Sequence, residues 1–231
     1  MVMAAKHDKT LASSAPTAGG QDHWDRIYDS KDPTQLSWYE AHPARSLQLV
    51  RAAGITPADA IVEVGAGTSL LVDELLAAGF RDLTLLDISA AALRRVRERL
   101  GPRAASVKLL HQDVTTFRPA QPYALWHDRA VFHFLVEVSE RRRYLEVVRQ
   151  ALRPGGQLIL ATFGPQGPER CSGLPTRRYD AATLAAEMGG EFALAESSLA
   201  LHSTPWGAAQ QFLHCRFERR GSSKSNPGAT T

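Results

Sequence analysis

The feature that most constrains this chain is the stretch Val62-Glu63-Val64-Gly65-Ala66-Gly67-Thr68-Ser69. The apolar, β-branched residues 60–64 read as a short buried strand. The strand ends at two glycines. A helical pattern of Leu71, Val72, Leu75 and Leu76 follows and stops at Gly79. Gly65 permits a tight turn, and Gly67 lets a ligand approach the backbone closely. A strand that turns on glycine into a helix begins an open α/β sheet, whose ligands bind beyond the carboxyl ends of the strands.

The rest of the chain keeps that rhythm. Residues 83–88 read as a second strand, and Ser89 as the cap of a helix carrying Leu93, Val96 and Leu100 that ends at Gly101. Residues 107–110 and 124–127 read as the third and fourth strands. Ser139 is placed to cap the next helix, which Arg153-Pro154-Gly155-Gly156 breaks before a fifth strand at 158–163. One more helix is expected near 181–188. Two strand-like segments, 192–201 and 210–217, then follow with only a turn-rich loop between them. The expectation is a doubly wound α/β fold: a mostly parallel sheet, helices on both faces, and an antiparallel hairpin at the end.

Composition narrows the class. A chain of 231 residues, 44% hydrophobic and 22% charged, suits one globular domain. We place it at 21–217, with a disordered leader at 1–20 and a disordered tail at 218–231, both poor in apolar residues. No apolar run approaches the ~20 residues that span a bilayer, and no signal-peptide core is visible, so the reading is cytoplasmic without a membrane partner. The cysteines, Cys171 and Cys215, form no CxxC pair, which fits a reducing compartment and argues against a metal. The net charge of +3 rests on arginine runs at 94–99 and 141–143, read as solvated helix faces. Aromatic and basic residues do not interleave, so no nucleic-acid partner is expected.

Two carboxylates give the glycine turn its meaning. Asp87 ends the second strand, where a carboxylate can bind both hydroxyls of a ribose. Dinucleotide folds prefer a third glycine where this chain has Leu70, which disfavours a diphosphate. Glu63 ends a buried strand and needs a cationic or hydrogen-bonding partner. A cofactor with a ribose and a cationic amino-acid tail suits both.

These segments resemble class I S-adenosylmethionine-dependent methyltransferases. Residues 63–69 are similar to the family's first motif and Asp87-Ile88-Ser89 to its second. Gln112-Asp113-Val114, Asp128-Arg129-Ala130 and residues 152–156 are similar to its third motif, the end of its fourth strand and the turn before its fifth. The resemblance covers about 22–217 and implies a seven-stranded sheet with the last strand antiparallel. It implies S-adenosyl-L-methionine as the cofactor. Gly65, Ala66 and Gly67 would lie against its methionine portion, Asp87 on the ribose, Ile88 on the adenine, and Asp113 and Val114 at the adenine amino group. Glu63 and His127 complete the expected cofactor contacts.

The closer likeness is to a branch holding bacterial relatives and protein-lysine methyltransferases, which share its N-terminal Trp and Tyr residues. There Trp38 and Tyr39 would form an aromatic lid over a sulfonium. At the fourth strand's end, Asp128, Arg129 and His133 are the catalytic candidates. His133 is the preferred general base because an ordinary imidazole titrates near 6.5, and packing in the core is its other reading. Arg170 and Cys171, after the fifth strand, are expected at the acceptor, with Trp206 and His202 as weaker candidates. The leading function is methyl transfer to a small molecule. A protein-lysine acceptor, a donor-binding module without chemistry and a nicotinamide oxidoreductase stay open.

Overall fold

The computed structural model describes residues 19–221. The expected leader and tail fall mostly outside them. Within them, α1 starts at Gly20 and the last strand runs to Arg219. The order is α1 (Gly20–Ser30), α2 (Ala44–Ala52), β1 (Ile61–Val64), α3 (Leu71–Ala77), β2 (Leu83–Asp87), α4 (Ala90–Leu100), β3 (Val107–His111) and β4 (Tyr123–Arg129). Then come α5 (Val138–Ala151), β5 (Leu152–Phe163), the two-residue strands β6 (Arg170–Cys171) and β7 (Leu174–Pro175), α6 (Ala181–Met188), β8 (Phe192–Ser203) and β9 (Ala209–Arg219).

Seven strands form one sheet in the order β3-β2-β1-β4-β5-β9-β8. The pairs from β3 through β5 are parallel, and β9 is antiparallel to both β5 and β8. This is the expected doubly wound α/β sheet with its closing hairpin. Strand alternation divides the core. Ile61, Leu83, Leu85, Leu125 and Ile159 pack with Leu49, Leu75 and Val96 on one face. Val62, Leu86, Trp126, Leu158 and Leu160 pack with Tyr144, Val148 and Leu184 on the other.

Local differences have local causes. The 153–156 segment does not separate helix from strand: α5 ends directly into β5, and Gly155, at φ +74°, takes the bend. Ser139 is not the cap of α5. Glu137 is, because its side chain meets the backbone of Glu140 while the Glu140 carboxylate accepts from the Glu137 N–H. Ser89 does cap α4, its hydroxyl accepting from the Ala92 N–H at 3.1 Å.

Neither arginine run is merely solvated. Arg99 donates to the carbonyls of Thr68 and Ser69 and pairs with Asp73, so α4 clamps the glycine turn. Arg141 is buried, donating to the carbonyls of Leu135 and Val136 and pairing with Glu187. Both cysteines are free thiols. Among the described residues, no helix is long and apolar enough to cross a membrane.

Candidate active site

The parallel strands deliver their last residues to one edge, where β1 and β4 lie side by side. Their register sets Glu63 beside His127 and Val64 beside Asp128. Gly65 and Gly67 follow in left-handed conformations, φ +57° and +51°. A Cβ on Gly65 would collide with the Val131 side chain, and one on Gly67 with the Tyr28 hydroxyl. The close approach to Gly67 expected of a ligand is therefore made here by a tyrosine of α1.

The turn is held from two sides. Asp87 is buried, one oxygen accepting from the Gly67 N–H and the other from the Ser89 N–H, both at 2.7 Å. Burial lifts its carboxyl to about 6 against these two donors. Each oxygen keeps a second lone pair for a hydroxyl donor.

Two clefts meet over the turn. The larger, partly open to solvent, is lined at one end by Asp87, Ile88, Asp113 and Val114, and at the other by His133, Phe163, Cys171 and Phe212. The smaller is lined by Glu63, Ser46, His127, Tyr39 and Glu40. Trp38, Gly65 and Arg129 belong to both. Glu63 is 4% exposed, and its Oε2 has no hydrogen-bond partner among the described residues. Burial pushes its carboxyl up to about 7. His127 bonds Ser46 Oγ through Nε2 at 2.9 Å, while its Nδ1, 4.0 Å from Glu63, has no hydrogen bond. Burial, then Arg129, hold this imidazole neutral, at about 3.

The lid residues are tied to the sheet. Arg129 donates to the Trp38 carbonyl at 2.9 Å and pairs with Glu40 at 2.9 Å. His202 donates from Nε2 to the Ser37 carbonyl at 2.7 Å. Asp25 of α1 accepts from the Ser89 hydroxyl and the Ala91 N–H, docking α1 on the start of α4. Tyr28, Glu40, Ser46 and Arg99 thus join the site, and sequence reasoning had missed all four. An acid and a serine in a polar N-terminal stretch carry no signal of their own.

The three catalytic candidates separate. Asp128 and Arg129 are neighbours on a strand and face opposite ways. Asp128 points toward α5, fully buried and outside both clefts. It accepts from the Val131 N–H at 2.9 Å, the Phe132 N–H at 3.2 Å and the Tyr144 hydroxyl at 2.6 Å. Its carboxyl, raised by burial to about 6, is the anchor of the turn after β4, where Ala130 sits at φ +74°. A catalytic Asp128 does not fit this geometry. Arg129 lies in the cleft with its guanidinium 5.3 Å from the Phe212 ring centre.

His133 is buried and stacked on Phe163 at 4.3 Å. Its Nδ1 accepts from the Phe163 N–H at 3.1 Å. A backbone amide only donates, so the proton of the neutral ring is on Nε2. That atom has no partner among the described residues. Burial and Arg129 hold the ring neutral, at about 3. His133 presents a donor, not the base expected of it. Arg170 is exposed outside the clefts, bonding the Gly173 carbonyl across the β6–β7 turn, whereas Cys171 reaches the cleft. Trp206 is 64% exposed at the hairpin tip and lines neither cleft.

A parallel sheet closed by an antiparallel hairpin, with a glycine turn over a cleft of two lobes, defines a Rossmann-like methyltransferase fold. A family model described as a methyltransferase domain matches residues 61–156. The mouse eEF1A lysine and N-terminal methyltransferase is 26% identical over 156 residues, 64% of this chain and 22% of that protein. The match spans about a fifth of the length of these eEF1A methyltransferase relatives. The N-methyltransferase NodS from Bradyrhizobium japonicum, in complex with S-adenosyl-L-homocysteine, superposes with a TM-score of 0.67 at 18% identity, covering 88% of this chain and all of that one. A structure concerned with converting a disulfide bond into a thioacetal group during echinomycin biosynthesis gives a TM-score of 0.72 at 19% identity, covering 89% and 95%. These structural likenesses establish the fold. Residues 61–156 thus match a methyltransferase domain within a Rossmann-like methyltransferase fold, and the cofactor this implies is S-adenosyl-L-methionine.

The residues present fit that cofactor. Glu63 offers an unpartnered buried carboxylate oxygen to a cation in one lobe, and Asp87 offers acceptors to hydroxyls in the other. A nucleoside joined to an amino acid has both ends to match.

Proposed function

We propose that this enzyme moves the donor methyl to a nucleophile on a small-molecule acceptor by in-line displacement. The observation that carries this reading is the far end of the larger cleft. It is a buried aromatic chamber of Phe134, Phe163 and Phe212, roofed by Trp24 and Trp38 and continuous with the cofactor lobes at Gly65. Such a chamber strips water from a compact guest and fixes its orientation.

The bound cofactor would supply a methyl group on a positively charged sulfur. Glu63 would hold the amino end of its tail, Asp87 the ribose hydroxyls, and Ile88, Asp113 and Val114 the adenine. Trp38 and Tyr39, held by Arg129 and His202 through the backbone of 37–38, would cover the junction between lobes. Trp38 supplies an aromatic face that favours a cation there. Asp128 would act through the turn it anchors, as a positioning residue.

The likeness to the lysine and N-terminal methyltransferase favours a second reading, with a protein acceptor. The two separate in one experiment. Purified protein is incubated with methyl-labelled S-adenosylmethionine and a cell extract, and the products are divided by size. Label in small molecules beyond the donor's own products supports the small acceptor. Label retained on protein overturns it.

A further inference from the structure

We propose that the acceptor is a small, flat molecule whose nucleophile is an anionic sulfur or oxygen at neutral pH, and that the Nε2–H of His133 hydrogen-bonds it in the chamber. The inference rests on the methyltransferase reading above and names the acceptor chemistry of the same site.

The first observation is the hydrogen-bond direction at His133. The Phe163 amide occupies Nδ1, so the ring can offer only Nε2–H, a donor with no partner in a residue that is 0% exposed. A buried donor left unmade costs free energy, and a ligand acceptor atom restores it. The ring cannot take a proton from the acceptor, because its free lone pair is already used.

The second observation is what the other groups are doing. Asp87 is engaged by two amides at the nucleoside end. Asp128 lies on the opposite face of the sheet under three donors. Glu40 is paired with Arg129 and lies 3.6 Å from His202. Burial raises the Cys171 thiol, which keeps it neutral. Among the described residues lining the chamber end, none is placed to act as a base.

The third observation is charge and shape. Arg129, paired with Glu40 at 2.9 Å, lines the chamber and keeps a buried Nε–H without a hydrogen-bond partner, a charged donor that suits an anionic acceptor atom. Five aromatic rings, Trp24, Trp38, Phe134, Phe163 and Phe212, share the wall with small and aliphatic side chains such as Ala130, Val131 and Leu135, and offer flat faces to a planar guest. An amine, cationic at neutral pH, would need a base to free its lone pair. A thiolate, carboxylate or acidic phenolate needs none.

In the step, the acceptor's anionic atom forms a bond to the methyl carbon while the carbon–sulfonium bond breaks. That bond's electron pair goes to the donor sulfur. The acceptor's proton has already left to water.

The test uses the full chain with saturating S-adenosylmethionine and four probe sets: substituted benzenethiols, substituted benzoates, phenols of graded acidity, and amines including benzylamine and a lysine peptide. Formation of S-adenosylhomocysteine is followed against pH. Acidic probes are expected to turn over at least tenfold faster than amines, with a rising limb that tracks each probe's own ionisation. His133→Phe and His133→Asn should raise KM for the best probe at least tenfold. His133→Gln, whose amide N–H reaches the same point, should stay within threefold. S-adenosylhomocysteine binding by calorimetry should be unchanged in every variant.

A preference for amines overturns the inference. So does a limb at one fixed pH for all probes, or a His133→Phe variant with unchanged KM. Donor binding without transfer to any acidic probe overturns the inference alone. Absence of donor binding in the unmodified protein would sink the methyltransferase reading itself.

Discussion

Tyr144→Phe removes one oxygen from a buried chain of hydrogen bonds. The Trp126 indole N–H donates to the Tyr144 hydroxyl at 2.9 Å, and that hydroxyl donates to Asp128 at 2.6 Å. All three residues are 0% exposed. The substitution creates almost no cavity, so the cost is polar. A hydrogen bond to a charged group is lost, worth about 1.5–3 kcal/mol, and the indole N–H is left without an acceptor at about 1–3 kcal/mol. Partial overlap of these losses puts the expected destabilisation at roughly 2–5 kcal/mol. In urea unfolding at pH 7.5, with the slope unchanged, the midpoint should fall by about 1–2 M. Turnover well below the midpoint should stay within a few-fold, because Asp128 keeps its two amide donors and the turn it anchors. A midpoint shift worth less than about 1 kcal/mol would refute the network's structural weight. A large loss of kcat in a fully folded variant would return Asp128 to the chemistry.

Other perturbations test the cofactor lobes. With Glu63 titrating at about 7 in the free protein, a cationic donor tail binds its ionised form and releases a proton, so donor affinity should rise from pH 6 to 7.5. Calorimetry should show this rise vanish in Glu63→Gln, and a rise persisting there would remove Glu63 from the site. The same raised carboxyl makes Glu63 stabilising when protonated, with that contribution lost as pH climbs through about 7. The free protein's urea midpoint should therefore drop between pH 6 and 8 more than that of Glu63→Gln. Asp87→Ala should lower donor affinity at least tenfold and also loosen the glycine turn. Unchanged affinity would end the ribose assignment. Gly67→Ala meets both a left-handed φ and the Tyr28 hydroxyl, so it should weaken donor binding, and Tyr28→Phe in the same chain should recover part of the loss.

Periodicity made the fold legible. Short, nearly continuous apolar runs mark strands buried on both faces, and the strands 61–64, 83–87 and 123–129 lie within two residues of those runs, as does the partly exposed edge strand 107–111. The glycines at 65 and 67 marked the turn because the backbone there needs positive φ, which other residues adopt at a cost. Asp87 was visible because it closes a strand at the edge where ligands bind. Strand alternation could also have been applied to Asp128 and Arg129. It sends them to opposite faces, so they could not both reach one substrate.

What remained hidden depended on partners distant in sequence. His133 looked like a base because its ring titrates near neutrality in water. Only the tertiary position of the Phe163 amide, thirty residues on, fixes its proton on Nε2 and makes it a donor. Arg99 and Arg141 looked solvated because charge on a helix usually is. The carbonyls that accept from them belong to the glycine turn and to the loop before α5. The amino-acid sequence by itself determined the sheet, its closing hairpin and the cofactor edge, because these follow from backbone conformation and the period of apolar residues, which are local. The tertiary structure decided which polar side chains face the clefts, which are consumed by structure and where each proton sits, because hydrogen bonds are directional and close between residues the sequence keeps far apart.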